Sequence, residues 1–70
     1  MYVTRNDVDY FSAPNGRIAT IPKGTPCIPA DNLPQGGYWA EAWEGMSENQ
    51  KSWARCYGFL IDPVDVEEVP

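Results

Sequence analysis

A small all-β barrel of about five short antiparallel strands is the fold this sequence predicts, on three observations. Turn chemistry recurs every eight to twelve residues, at Pro14-Asn15-Gly16, Pro22-Lys23-Gly24, Asp31-Asn32, Pro34-Gln35-Gly36-Gly37, Glu44-Gly45 and Asp62-Pro63. The segments between are of strand length and leave no room for a helix of ordinary length. The composition, 43% hydrophobic with three tryptophans in 70 residues, is that of a folded chain with an aromatic-heavy core. At this size one domain is expected, and each large apolar side chain matters to its stability.

Taken in order, strands are expected at residues 1–4 or 8–11, then at 17–21, 25–29, 38–43, 53–61 and 64–69. The stretch IPKGTPCIP, residues 21–29, sets three prolines among the apolar Ile21, Cys27 and Ile28. Pro22 suits position i+1 of a turn that includes Gly24. Pro26 and Pro29 suit an edge or a sharp bend, where no ladder hydrogen bond is lost. Ser47 is placed to cap a single helical turn through Ser52, with Glu48 and Lys51 signed to suit its dipole. At most one turn of helix is therefore expected in the 44–52 loop.

Pairing 38–43 with 53–61 through that loop gives the most informative register. Trp43 then opposes Trp53, Glu41 opposes Arg55 and Trp39 opposes Tyr57, three cross-strand pairs worth about 0.2–1 kcal/mol each. The other face sets Tyr38, Ala40 and Ala42 against Ala54, Cys56 and Gly58, small residues that suit a cramped barrel interior. Two readings of the aromatic face stay open: it is core, or it is exposed and contacts a partner.

The net charge of −5 is unevenly spread, +1 over residues 1–23 and −6 over residues 24–70. Such a chain is repelled by phosphate backbones, so direct nucleic-acid binding is disfavoured and basic partners fit better. There is no histidine, which removes the usual general base and the commonest metal ligand. Cys27 and Cys56, without histidine partners, make a poor zinc site. Gly36-Gly37 lacks the Lys and Ser or Thr of a phosphate-binding loop. The expectation is thus a non-enzymatic chain with no catalytic residue, cofactor or metal. The cysteines are expected to be buried free thiols in a cytoplasmic protein, and the longest apolar run, at 58–61, is far too short for a membrane span.

Four pieces carry a family resemblance: the run Ile21-Pro22-Lys23-Gly24-Thr25-Pro26-Cys27, the Trp-bearing Tyr38-Trp39-Ala40-Glu41, the aromatic Tyr57-Gly58-Phe59-Leu60-Ile61, and a closing strand at 64–69. Over roughly residues 8–69 they resemble the bacterial SH3-like barrel family. The resemblance implies a single SH3-like domain over residues 1–70 and, by analogy, use as a binding module.

Trp39, Glu41, Trp43, Glu44, Trp53, Arg55 and Tyr57 are the expected partner-binding residues. Aromatic rings beside carboxylates suit a proline-rich or basic segment of a protein. A second reading takes the chain as similar to small acidic products of phages and other mobile elements that inhibit host nucleic-acid enzymes. Asp62, Asp65, Glu67 and Glu68 would there stand in for phosphates. A third makes the aromatic face or the edge strands the contact of a structural homo-oligomer.

Overall fold

The computed structural model describes residues 1–70 and resolves the expected turns into seven short strands and one helix. In chain order these are β1 (Tyr2–Thr4), β2 (Val8–Ser12), β3 (Gly16–Ile21), β4 (Pro26–Pro29), β5 (Tyr38–Ala40), α1 (Glu48–Cys56), β6 (Leu60–Ile61) and β7 (Val66–Glu68), with a 3-10 turn at Pro63–Asp65 before β7. Strands make up 37% of the chain, so the all-β class stands. Five strands pair antiparallel in the order β6-β5-β4-β1-β7 and curl into a half-barrel, while β2 and β3 form a separate hairpin.

The hollow of the curl is filled by Ala19 and Ile21 from β3, Cys27 from β4, Phe59 and Ile61 around β6, and Val66 from β7. Phe59 is 1% exposed and meets the rings of Tyr10 and Trp43 edge-on, with centroids 5.0 and 5.2 Å away. Edge-to-face geometry sets the positive rim of one ring on the negative face of another and adds about 0.5–1.5 kcal/mol to the burial itself. Beneath this cluster a buried polar knot holds the turn at Pro22. Thr4 and Thr25 both donate their hydroxyls to the Pro22 carbonyl, at 2.7 and 2.6 Å, and the Thr25 amide donates to Thr4 Oγ1 at 3.0 Å. Neither threonine carries an orphaned polar atom into the interior, which is the condition for burying it.

The prolines of IPKGTPCIP do not lie on an edge strand. β4 sits inside the sheet between β5 and β1. Their positions within β4 explain how the ladder survives. Pro26, the first residue, accepts from the Glu41 amide with its carbonyl, and its missing N–H falls just where β5 has ended at Ala40. Pro29, the last, has the parity of Cys27, which faces Tyr2 of β1, and β1 does not extend that far. Strand ends, rather than a strand edge, are what make both tolerable.

The larger correction concerns residues 48–56. They form a nine-residue helix rather than a single turn followed by a strand. Ser47 caps it as expected, but the cap is a complete box: Gln50 N–H donates to Ser47 Oγ at 3.1 Å and Ser47 N–H donates to Gln50 Oε1 at 3.0 Å. Two orphan amides are satisfied reciprocally, and this commits the chain to helix from Glu48 onward. Glu48 and Lys51 pair at 3.7 Å on its exposed side. Gln50 Nε2 also donates to the Ile18 carbonyl at 3.2 Å, tying α1 to the hairpin.

The register drawn across residues 38–43 and 53–61 therefore shifts. β5 does pair antiparallel with β6, but Trp39 opposes Leu60 rather than Tyr57, and Tyr38 opposes Ile61. Trp53 and Tyr57 stack on each other along α1, with centroids 4.6 Å apart, as i,i+4 neighbours do. Cys56, expected buried, is exposed at the end of α1, whereas Cys27 is buried; both are free.

Candidate functional site

Alternation along the strands decides which side chains the curled sheet shows to the outside. Tyr2, Cys27, Tyr38, Ala40 and Ile61 belong to or pack against the core. Their chain neighbours point the other way. The register then aligns one residue from each strand: Leu60 opposes Trp39, and Trp39 opposes Ile28. Since Tyr2 opposes Cys27, Met1 stands beside Ile28, and Met1 in turn exchanges two hydrogen bonds with Val69, at 2.8 and 3.1 Å. Leu60, Trp39, Ile28, Met1 and Val69 thus form an apolar row across all five strands on the convex side. Ile28 is 50% and Met1 66% exposed, and the other three are half-buried.

The neighbouring row on the same side is mixed. Glu41 stands opposite Pro26 through its amide, Pro26 opposite Val3, and Val3 opposite Glu67. The next pair along is Arg5 opposite Asp65, and the Arg5 guanidinium reaches the Val64 carbonyl at 3.4 Å, while the Met1 ammonium puts a second positive charge in the apolar row itself.

Among the expected partner-binding residues, Trp39 lies in the row and Glu41 beside it. The other five are elsewhere, because strand β5 ends at Ala40 and residues 48–56 are helical. Trp43 packs against the core, on Phe59, and stands between two open grooves of about 470 Å³ each, with Pro22 and Glu44 bordering both. Trp53 packs inward from α1, while Tyr57 is 68% exposed at its end. Glu41, Lys51 and Arg55 line a smaller cleft of about 230 Å³ floored by Ala40, Ala42, Met46 and Ala54. They make no ion pair there; the pairs of the structure are Asp9 with Arg17 and Glu48 with Lys51.

The four carboxylates near the C-terminal end do not share one surface. Asp62 caps the 3-10 turn by accepting from Val64 N–H at 3.2 Å, and Asp65 accepts from Asn6 at 3.4 Å. Glu67 and Glu68 leave β7 on opposite faces. Glu68 lies on the side of Tyr2, whose phenol it pushes above the ordinary value, aided by Tyr38, burial and Asp31. Burial, then Glu41, raises the Cys27 thiol in the same direction.

Sequence reasoning missed Ile28, Met1, Leu60 and Val69. The signal was present for Ile28, since in Pro26-Cys27-Ile28-Pro29 only one of two adjacent apolar residues can face the core of a half-barrel. What the arrangement offers is recognition surface: an apolar strip with charges of both signs beside it. No three His, Cys, Asp or Glu side chains converge as metal ligands. No protein family, curated protein or solved structure matches the chain.

Proposed function

We propose that this chain is a non-enzymatic protein-binding module, an SH3-like barrel that engages its partner through the convex face of its sheet. The observation that carries this reading is the apolar row Leu60, Trp39, Ile28, Met1 and Val69, aligned by strand register on the side of the sheet away from the core, with Ile28 and Met1 exposed at its middle. Contiguous apolar surface of this kind, with polar residues beside it, is what protein interaction sites present. Trp39 is the natural anchor, because tryptophan is over-represented among residues that dominate binding energy. The curled antiparallel sheet and accompanying hairpin support the SH3-like comparison at the level of architecture.

Affinity capture from lysate of the source cell, with wild type beside Ile28→Thr and Ile28→Asp, tests the reading. A protein retained by wild type at high salt and lost with both variants supports it. A partner indifferent to Ile28 but lost with Glu44→Gln would move the site to the grooves beside Trp43. A partner released by salt alone would favour the acidic-inhibitor reading, and a wild-type dimer by light scattering the structural one.

A further inference from the structure

We infer that the outer edge of β2 is a recognition site separate from the convex row: it takes an extended segment of a partner protein by strand addition and seats an apolar residue of that segment beside Phe11. β2 pairs with β3 alone, and beyond that ladder none of its backbone amides or carbonyls has a partner. In an antiparallel pair every second residue turns both its N–H and its C=O away from its neighbour, so one side of β2 presents a row of open donors and acceptors that an added strand satisfies along its length. The other edges are closed. β6 is two residues long. On β7 the Val66 amide already donates to the Pro63 carbonyl, and Pro70 has no N–H to offer. The outer side of β3 faces Trp43, Glu44 and Gln50 across a groove, and Gln50 donates to the Ile18 carbonyl.

β2 also lacks the usual guards of an open edge. It holds no lysine or proline, and the bulge in the hairpin inserts its extra residue, Ile18, on β3. Its one charge, Asp9, accepts from Thr20 Oγ1 at 2.7 Å and lies 3.8 Å from the Arg17 guanidinium; both partners are on β3, so the carboxylate is drawn away from the open side. With that charge already met, the edge selects no sign in its occupant, and the contact should tolerate salt. β2 spans five residues, about 17 Å, and a strand laid along it has the same two-residue side-chain repeat. Val8 and Tyr10 pack toward the core while Phe11 is 66% exposed on the other face, so the residue set opposite Phe11 is apolar or aromatic. A second copy of the chain fits less well. Antiparallel pairing of two β2 strands with matching faces sets Asp9 against Phe11, or Asp9 against Asp9, or leaves only residues 10–12 in the ladder.

The test is selection from a displayed library of random twelve-residue peptides against the wild-type protein. Winners are counter-screened on Phe11→Thr and Phe11→Asp, whose folding is checked by circular dichroism, with Ile28→Asp as the control for the convex row. Each winner is then resynthesised with a single backbone N-methyl group at successive positions. The expected winners weaken about five-fold or more on both Phe11 variants, ignore Ile28→Asp and bind equally at low and high salt. N-methylation should abolish their binding at every second position and be tolerated between, since alternate amides of an added strand face β2. Winners that need Ile28 and ignore Phe11 overturn the β2 site while supporting the convex face. Winners whose N-methyl scan lacks the two-residue period, or a selection that enriches nothing, overturn strand addition. A wild-type dimer that Phe11→Asp converts to monomer would give the edge to a second copy and overturn the partner segment.

Discussion

The six-membered ring of Trp39 covers Gly58 so closely that a Cβ at Gly58 would stand 2.8 Å from two ring carbons. Gly58 has φ of +77° where the chain leaves α1, so the same residue both ends the helix and seats the indole. A ring already held in place loses little freedom when a partner arrives, which suits Trp39 to the anchor role.

Gly58→Ala should therefore cost more than its backbone alone. The left-handed conformation costs an L-residue about 1–2 kcal/mol. Gly36→Ala, at φ +75° with nothing within 4 Å of an added Cβ, supplies that figure by itself. Urea unfolding of the two variants is expected to show Gly58→Ala the more destabilised, with a shift in tryptophan emission that Gly36→Ala lacks. Equal losses would mean that the Trp39 contact is energetically idle.

The capping box makes a second pair of variants informative. Ser47→Ala removes one reciprocal bond and should cost about 1 kcal/mol. Gln50→Ala removes the other bond and also the tie to the Ile18 carbonyl, so it should cost more. Denaturant midpoints check the order, and a reversed order would show that α1 is not braced through Gln50.

The same box shows how much of the fold was legible. Recurrent turns and Ser47 as a cap could be read from spacing, whereas the inward face of Tyr38 and Ala40 was one of two readings that period-two alternation left open. Residues 53–57 could not, because Trp53, Arg55 and Tyr57 satisfy a strand period as well as Trp53 and Tyr57 satisfy an i,i+4 helical pair. Gln50, three residues beyond Ser47, was the deciding signal. Misreading it displaced the register and scattered the expected site, since Trp43, Trp53 and Arg55 owe their positions to the loop and helix. The apolar row depends on pairing between segments as far apart as Met1 and Val69, which no local pattern specifies.

The two thiols should separate cleanly. Cys56, exposed, is expected to react with a disulfide reagent within the mixing time typical of free thiols, and Cys27, 6% exposed, only as fast as the structure opens. Quantified labelling under native and denaturing conditions reads both. Rapid modification of two thiols in the native protein would contradict the burial of Cys27.

Alkaline pH should destabilise the fold. Cys27 and Tyr2 both have folded-state values raised above the ordinary 9.0 and 10.0, so the folded chain holds their protons longer than the unfolded chain does. The stability they support is fully present below those ordinary values and is lost as pH climbs through the raised ones. Urea midpoints should stay level from pH 7 to about 8 and fall above pH 9, and the fall should be shallower in Cys27→Ala and in Glu68→Gln, which relieve the first and second groups. A midpoint flat to pH 11 would show that neither proton is held.

The most direct measurement of the recognition surface is an amide shift map of the isotopically labelled chain titrated with the partner retained in the affinity capture. Changes centred on Ile28, Trp39, Leu60 and Val69 are predicted. Changes centred on Arg17, Trp43 and Gln50 would place recognition in the groove beside Trp43 and contradict the convex-face site.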